Sequence, residues 1–252
     1  MNGQLIYEPA GRAREYAALA CNIYRGCDHA CTYCYAPAAT RRKMEDFARP
    51  IDRGPDFLRK LRREAAARKP TDPILLCFTC DPYQALDERL SLTRETIKIL
   101  HEYGHAIHIL TKGGGRALRD IDLLGPVDAF ATTLTLLDEA RSLEWEPGAA
   151  LPADRIATIR EYHAAGIPTW VSLEPVLDPV IALEIIRQTH EFVDLFKVGR
   201  WNYHADAKLI DWATFASDAV ALLESLGKRY YIKRDLACFL PEDHAARSST
   251  AA

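Results

Sequence analysis

The chain has 252 residues, 48% of them hydrophobic and 27% charged, a globular composition that excludes a disordered or collagen-like polymer and leaves room for one large or two small domains. Seven cysteines, an odd number scattered along the chain, fit a reducing compartment better than a secreted disulfide framework, so metal or thiol chemistry becomes the question. A net charge of −3 argues against a protein that grips nucleic acid over its whole surface, while leaving local basic patches open.

In chain order, the N-terminus carries Glu8, Arg12, Arg14 and Glu15 where a signal peptide needs an uninterrupted apolar core, and it reads as cytoplasmic. A first strand is expected at 19–23, followed by a loop rich in cysteine. Residues 41–69 hold 11 Lys or Arg against 5 Asp or Glu. A helix at 55–68 with Phe57 and Leu61 buried and the charges in water accounts for them; an electrostatic guide for a phosphate-bearing substrate is the alternative. Beyond residue 70, short β-branched or aromatic runs alternate with segments of helical period, the pattern of βα units on a parallel sheet. Strands are predicted at 74–79, 106–110, 127–135, 167–173 and 193–198, with a small terminal one at 230–233. Helices are predicted at 90–103, 116–124, 152–165, 179–191 and 211–226. The longest apolar candidate, 123–137, contains Gly125, Pro126 and Asp128 and falls short of a membrane span. About six βα units predict an open partial (β/α)6 barrel in one domain, 1–240, with a disordered tail at 241–252.

Polar residues close several predicted strands: Thr79, Cys80 and Asp81; Thr111 and Lys112; Thr133 and Thr135; Ser172 and Glu174; Lys197 and Arg200. This edge of an α/β sheet is where such folds place chemistry. Asp81-Pro82 and Glu174-Pro175 also read as simple turn starts, and His29 reads as an exposed loop residue. Trp201, Tyr203 and His204 are candidates for stacking on a planar base, or for the core.

Cys27, Cys31 and Cys34 stand in C-x3-C-x2-C within GCDHACTYCYAP. A structural zinc site wants four ligands, and Cys77 with Cys80 offers a second pair. An iron–sulfur cube normally takes four cysteines, so three leave one iron open to another ligand. With Tyr33 before the third cysteine and a partial βα barrel behind it, the motif resembles the radical S-adenosylmethionine enzymes. NIYRGCDHACTYCYAP, FTCDPYQ, the run from Leu134 to Pro168, and VSLEPVLD are similar to the spore photoproduct lyase-like branch with its DNA-repair photolyase sequences. The resemblance covers roughly residues 15–205. It implies a [4Fe–4S] cluster on Cys27, Cys31 and Cys34, S-adenosylmethionine on its open iron, and reductive cleavage to a 5′-deoxyadenosyl radical that abstracts hydrogen from an organic substrate.

Carried across residue by residue, the cofactor contacts fall on Tyr33, Thr79, Asp81, Thr133, Thr135, Ser172 and Glu174. Asp81 suits the methionine ammonium, and Lys112, Lys197 or Arg200 the carboxylate. In that branch a cysteine in the 77–80 segment returns a hydrogen atom to the product. Here Phe78 stands near that place. On a regular strand Cys77 and Cys80 point to opposite faces; Cys80, beside Asp81, is the candidate donor and Cys77 a buried hydrophobe. The resemblance further implies a nucleobase or DNA lesion as substrate and an external one-electron donor such as flavodoxin or ferredoxin. A small metabolite or peptide substrate, and a non-enzymatic zinc-stapled nucleic-acid-binding module, are the competing readings.

Overall fold

The computed structural model describes residues 4–202 and 204–241; the tail expected to be disordered lies, from residue 242 onward, outside them. Eight strands form one sheet in sequence order: β1 (Ile6–Tyr7), β2 (Leu19–Cys21), β3 (Ile74–Leu76), β4 (Ile107–Thr111), β5 (Ala129–Thr133), β6 (Thr169–Val176), β7 (Leu195–Arg200) and β8 (Arg229–Ile232). β1 runs antiparallel to β2 and every later neighbour pair is parallel. The parallel series therefore has seven strands joined by six crossovers, as in an open partial barrel.

Ten α-helices accompany the sheet among the described residues: α1 (Ala36–Ala39), α2 (Met44–Phe47), α3 (Phe57–Ala67), α4 (Ala85–Leu90), α5 (Leu92–Glu102), α6 (Glu139–Trp145), α7 (Pro152–Ala164), α8 (Pro179–Thr189), α9 (Trp212–Ser225) and α10 (Arg234–Ala237). The helix expected at 116–124 is instead a 3-10 helix, Gly114–Leu123. α4 and α6 had no expected counterpart: each is seven residues or fewer, too short to show a helical period. No helix among the described residues is long and apolar enough to cross a membrane.

Strand alternation sorts the side chains. Ile74, Leu76, Ile107, Ile109, Phe130, Val171, Leu173, Phe196 and Val198 belong to the main core with Leu61, Ile97, Ile159, Ile185 and Phe215 of the surrounding helices. The residues between them in sequence form a separate inner cluster of Ala20, Leu75, Ala129, Ala131 and Trp170. Three of those five are alanines, so the inner face leaves room. The same alternation carries Thr133, Ser172 and Glu174 inward at the carboxyl ends of β5 and β6.

The sheet stays open, with β1 and β8 at its two ends. Side chains span the gap: Glu15 Oε2 accepts from Tyr231 Oη at 3.0 Å and from the Arg234 amide at 2.8 Å, and Arg12 pairs with Asp235 at 3.5 Å.

Candidate active site

A cavity of about 550 Å³, within the range of small-molecule sites, opens at the carboxyl ends of the parallel strands. One wall is the cysteine loop. Main-chain and carboxylate bonds to three separate segments hold it: Cys27 N–H donates to Phe47 O at 2.9 Å, Thr32 N–H to Trp145 O at 2.9 Å, and Asp28 N–H to Gln84 Oε1 at 3.0 Å. The Asp28 carboxylate in turn accepts from the amides of Ala85 and Leu86. Gly148 N–H donates to His29 O at 3.0 Å, and a Cβ on Gly148 would stand 2.2 Å from Asp28 O, so only glycine lets the two backbones approach this closely.

Cys27, Cys31 and Cys34 all line the cavity. Burial pushes the Cys31 thiol up to about 12, and burial followed by the Asp81 charge raises Cys27; a bound cationic centre reverses such a shift by favouring thiolate. Among the described residues no three His, Cys, Asp or Glu side chains converge as ligands of a single metal ion. The three thiols are spread over one loop and share one cavity with Cys77 and Cys80.

Tyr33 anchors the same wall. Its hydroxyl donates to Glu146, which also takes the Arg155 guanidinium and, at 3.0 Å, the Thr135 hydroxyl. Glu146 and Arg155 are each 1% exposed. Burial works against the carboxylate, but Arg155 and Lys112 outweigh it and hold Glu146 below its ordinary range. Thr135 is therefore part of the support and does not line the cavity. Arg155 also donates to the carbonyls of Ala150 and Thr133 at 2.6 and 3.1 Å.

Asp81 lines the cavity, yet its carboxylate is engaged by the protein: Oδ1 accepts from Thr111 Oγ1 at 2.6 Å and the Tyr83 amide at 2.8 Å, and Oδ2 from the Lys112 amide at 2.7 Å, with His29 Nδ1 3.5 Å away. The turn-start reading and the functional one meet here, because the residue ties two strand ends and the cysteine loop together. His29, expected to be exposed, is 2% exposed, drawn in by that carboxylate. Thr79 and Thr133 line the cavity; Asn22 Oδ1 fixes the 78–79 turn by accepting both amides.

Cys77 and Cys80 both line the cavity, contrary to the expected opposite orientations. The physical reason is that β3 ends at Leu76, so strand alternation no longer governs the segment. Burial and the neighbouring Cys80 thiol raise Cys77.

The opposite wall is built from side chains far apart in sequence. Tyr16 Oη lies 2.8 Å from Ser172 Oγ and donates to Glu174 Oε2 at 2.5 Å, and Lys233 Nζ donates to the same carboxylate oxygen at 2.5 Å. Gly199 permits this pair: a Cβ there would lie 2.9 Å from both Glu174 Cδ and Lys233 Cδ. Lys197 lies outside the cavity lining. Its ammonium donates to Tyr16 O at 3.0 Å and sits 4.8 Å from the Trp170 ring centroid, and burial with the Lys233 charge lowers it to about 8. Arg200 and Trp201 line the cavity, Trp201 stacks on His204 with centroids 4.1 Å apart, and Tyr203 lies outside the described residues. Tyr16, Glu146, Arg155 and Lys233 were absent from the sequence-based set; the one signal for Glu146 and Arg155 was their place in the long run that carried the family resemblance.

The radical SAM superfamily profile matches residues 21–193. An uncharacterized protein of Mycobacterium tuberculosis is 32% identical over 170 residues, 62% of this chain and 48% of its own. One of Methanocaldococcus jannaschii is 25% identical over 182 residues, 69% and 67% of the two chains. The chain thus spans about half the length of the mycobacterial relative it matches. Among solved structures, spore photoproduct lyase complexed with dinucleoside spore photoproduct aligns with a TM-score of 0.69 at 14% identity, covering 92% of this chain and 80% of that one. Streptococcus suis SuiB bound to S-adenosylmethionine aligns at 0.60 and 14%, covering 82% and 48%. At these identities the likeness concerns the fold.

Proposed function

Because the chain belongs to the radical S-adenosylmethionine superfamily, whose cofactors are a [4Fe–4S] cluster and S-adenosylmethionine, we propose that Cys27, Cys31 and Cys34 hold the cluster and that the cavity receives S-adenosylmethionine with an organic substrate. The observation that carries this reading is the C-x3-C-x2-C loop, fixed at the carboxyl ends of a parallel sheet with its three thiols on one cavity. When bound, the cofactors supply a carbon radical that removes a hydrogen atom from the substrate.

The chain's own residues supply position and shielding. Tyr33, held by Glu146, presents its ring on the cluster wall. Thr79, Thr133, Ser172 and Glu174 offer polar atoms around the chamber, while Asp81 and Thr135 act one step back, fixing the strand ends and Glu146. Lys112, on the cysteine side and 5.5 Å from the Tyr33 ring centroid, is the better placed cation for the methionine carboxylate, and Lys197, tied beneath Tyr16, is not. Cys80 donates hydrogen to the product: its S–H bond breaks, a substrate C–H bond forms, and a thiyl radical remains beside Cys77. The substrate class closest to the fold relatives is a nucleobase or DNA lesion, with a flavodoxin- or ferredoxin-type protein as reductant, in a lyase or repair reaction of the cytoplasm.

The deciding experiment is anaerobic reconstitution. The protein should bind about four irons, as a cube requires, and cleave S-adenosylmethionine when reduced; a variant with Cys27, Cys31 and Cys34 changed to Ala should do neither. Cys80→Ser should keep both and lose product formation. Full zinc loading without cleavage would reject the reading. Oligonucleotide binding that weakens steeply with salt supports the nucleic-acid substrate, and deuterium passing from a peptide or small metabolite into 5′-deoxyadenosine rejects it.

A further inference from the structure

Two consecutive residues at the end of β7 keep buried hydrogen-bond donors without acceptors. Arg200 Nε and Trp201 Nε1 are both buried and unpartnered, and both residues line the cavity. Trp201 is 4% exposed. The Arg200 guanidinium is held by rings, 5.3 Å from the Trp212 centroid and 5.4 Å from that of Phe239. Among the described residues, none of its N–H groups has an acceptor. Of the carboxylates on this side, Glu174 is taken by Lys233 and Tyr16, and Asp235 takes Arg12 at 3.5 Å and Asn202 at 2.7 Å through Oδ2, while its Oδ1 is buried without a partner of its own.

A guanidinium clamped between aromatic rings keeps its fork oriented and loses little freedom when a ligand arrives. Its planar donors match two oxygens of one oxyanion, and a desolvated N–H left without an acceptor is unfavourable until one is supplied. Lys233 and Arg12 line the same cavity, each already paired with a carboxylate, Glu174 and Asp235. We propose that the β7 end, through Arg200 with Trp201 beside it, is the oxyanion-binding site of the chamber, and that the substrate carries a phosphate or carboxylate group there. This rests on the reading of the cavity as the substrate chamber of a radical enzyme.

The test uses reconstituted enzyme loaded with S-adenosylmethionine and two probes, inorganic phosphate followed by ³¹P line width and acetate followed by its methyl proton line width. Saturable broadening by phosphate supports the site and assigns a phosphate-bearing substrate; saturable broadening by acetate alone supports it and assigns a carboxylate. Arg200→Gln should weaken the bound probe by at least about tenfold, Arg200→Lys by less, and Arg187→Gln, on the outer helix α8, not at all. Should the Gln variant fail to hold iron, the Lys variant decides. Neither probe saturating, or equal binding by the Arg200 variants, would overturn the proposal. So would an equal loss of S-adenosylmethionine affinity in Arg200→Gln, which assigns the arginine to the methionine carboxylate instead. Iron content and S-adenosylmethionine cleavage by the unaltered enzyme test the radical reading separately.

Discussion

The two walls of the cavity are held by different kinds of bond. The cysteine wall is pinned through backbone amides and carbonyls reaching the segments around Phe47, Gln84 and Trp145, with a buried Glu146–Arg155 pair behind it. The far wall sits on strand β6 and the end of β8, and what joins its members to one another is side-chain pairing, among Tyr16, Ser172, Glu174 and Lys233. Backbone bonds fix a loop whatever its side chains do, which suits a wall whose ligands must stay in register for a cofactor. Side-chain pairs are exchanged by single substitutions, which suits a wall that selects a substrate.

Glu146→Ala is the sharpest way to break the first wall. It strands Arg155 as an uncompensated buried charge, at a cost of about 3–5 kcal/mol, and frees the Tyr33 hydroxyl; chemical denaturation and iron content should both register it. Beneath both walls, on the inner face of the sheet, burial and the Lys197 charge lower His108 to about 4. The unfolded chain takes that proton near pH 6.5 while the folded one refuses it. Stability is therefore lost as pH falls from about 6.5 to about 4, by at most about 3 kcal/mol, and His108→Gln should flatten the profile over that window. Gly148→Ala drives a Cβ against the Asp28 carbonyl and His29 Cα. It should cost about 1–3 kcal/mol, and, unlike a change on the far wall, reduce iron loading. Tyr16→Phe removes one hydroxyl from the far wall for about 1 kcal/mol and should leave iron loading intact; equal iron loss in the last two variants would dissolve the distinction between the walls.

The same contrast explains what could be read in advance. The cluster wall is written contiguously, since three thiols and Tyr33 fall within eight residues and their chemistry is legible as spacing. Six of the seven parallel strands followed from β-branched runs, and the small terminal one, β8, was expected near its observed position. The far wall joins Tyr16, Glu174, Arg200 and Lys233, separated by up to 217 residues, and no local period links them. Asp81 and Thr135 were found as strand-end polar residues, but spacing could not say whether their oxygens face a ligand or a neighbouring strand. Cys77 is buried as expected, but it lines the cavity together with Cys80, because alternation does not extend past Leu76, where the strand has already ended.

The barrel's two ends meet through Glu15, Tyr231, Arg234, Arg12 and Asp235 rather than through a ladder of strand hydrogen bonds. The enclosure consequently has a seam. The contacts that cross it are polar ones between side chains and a single amide, and every strand pair lies to one side of it, so the girth of the chamber is not fixed by a closed ring of strand hydrogen bonds.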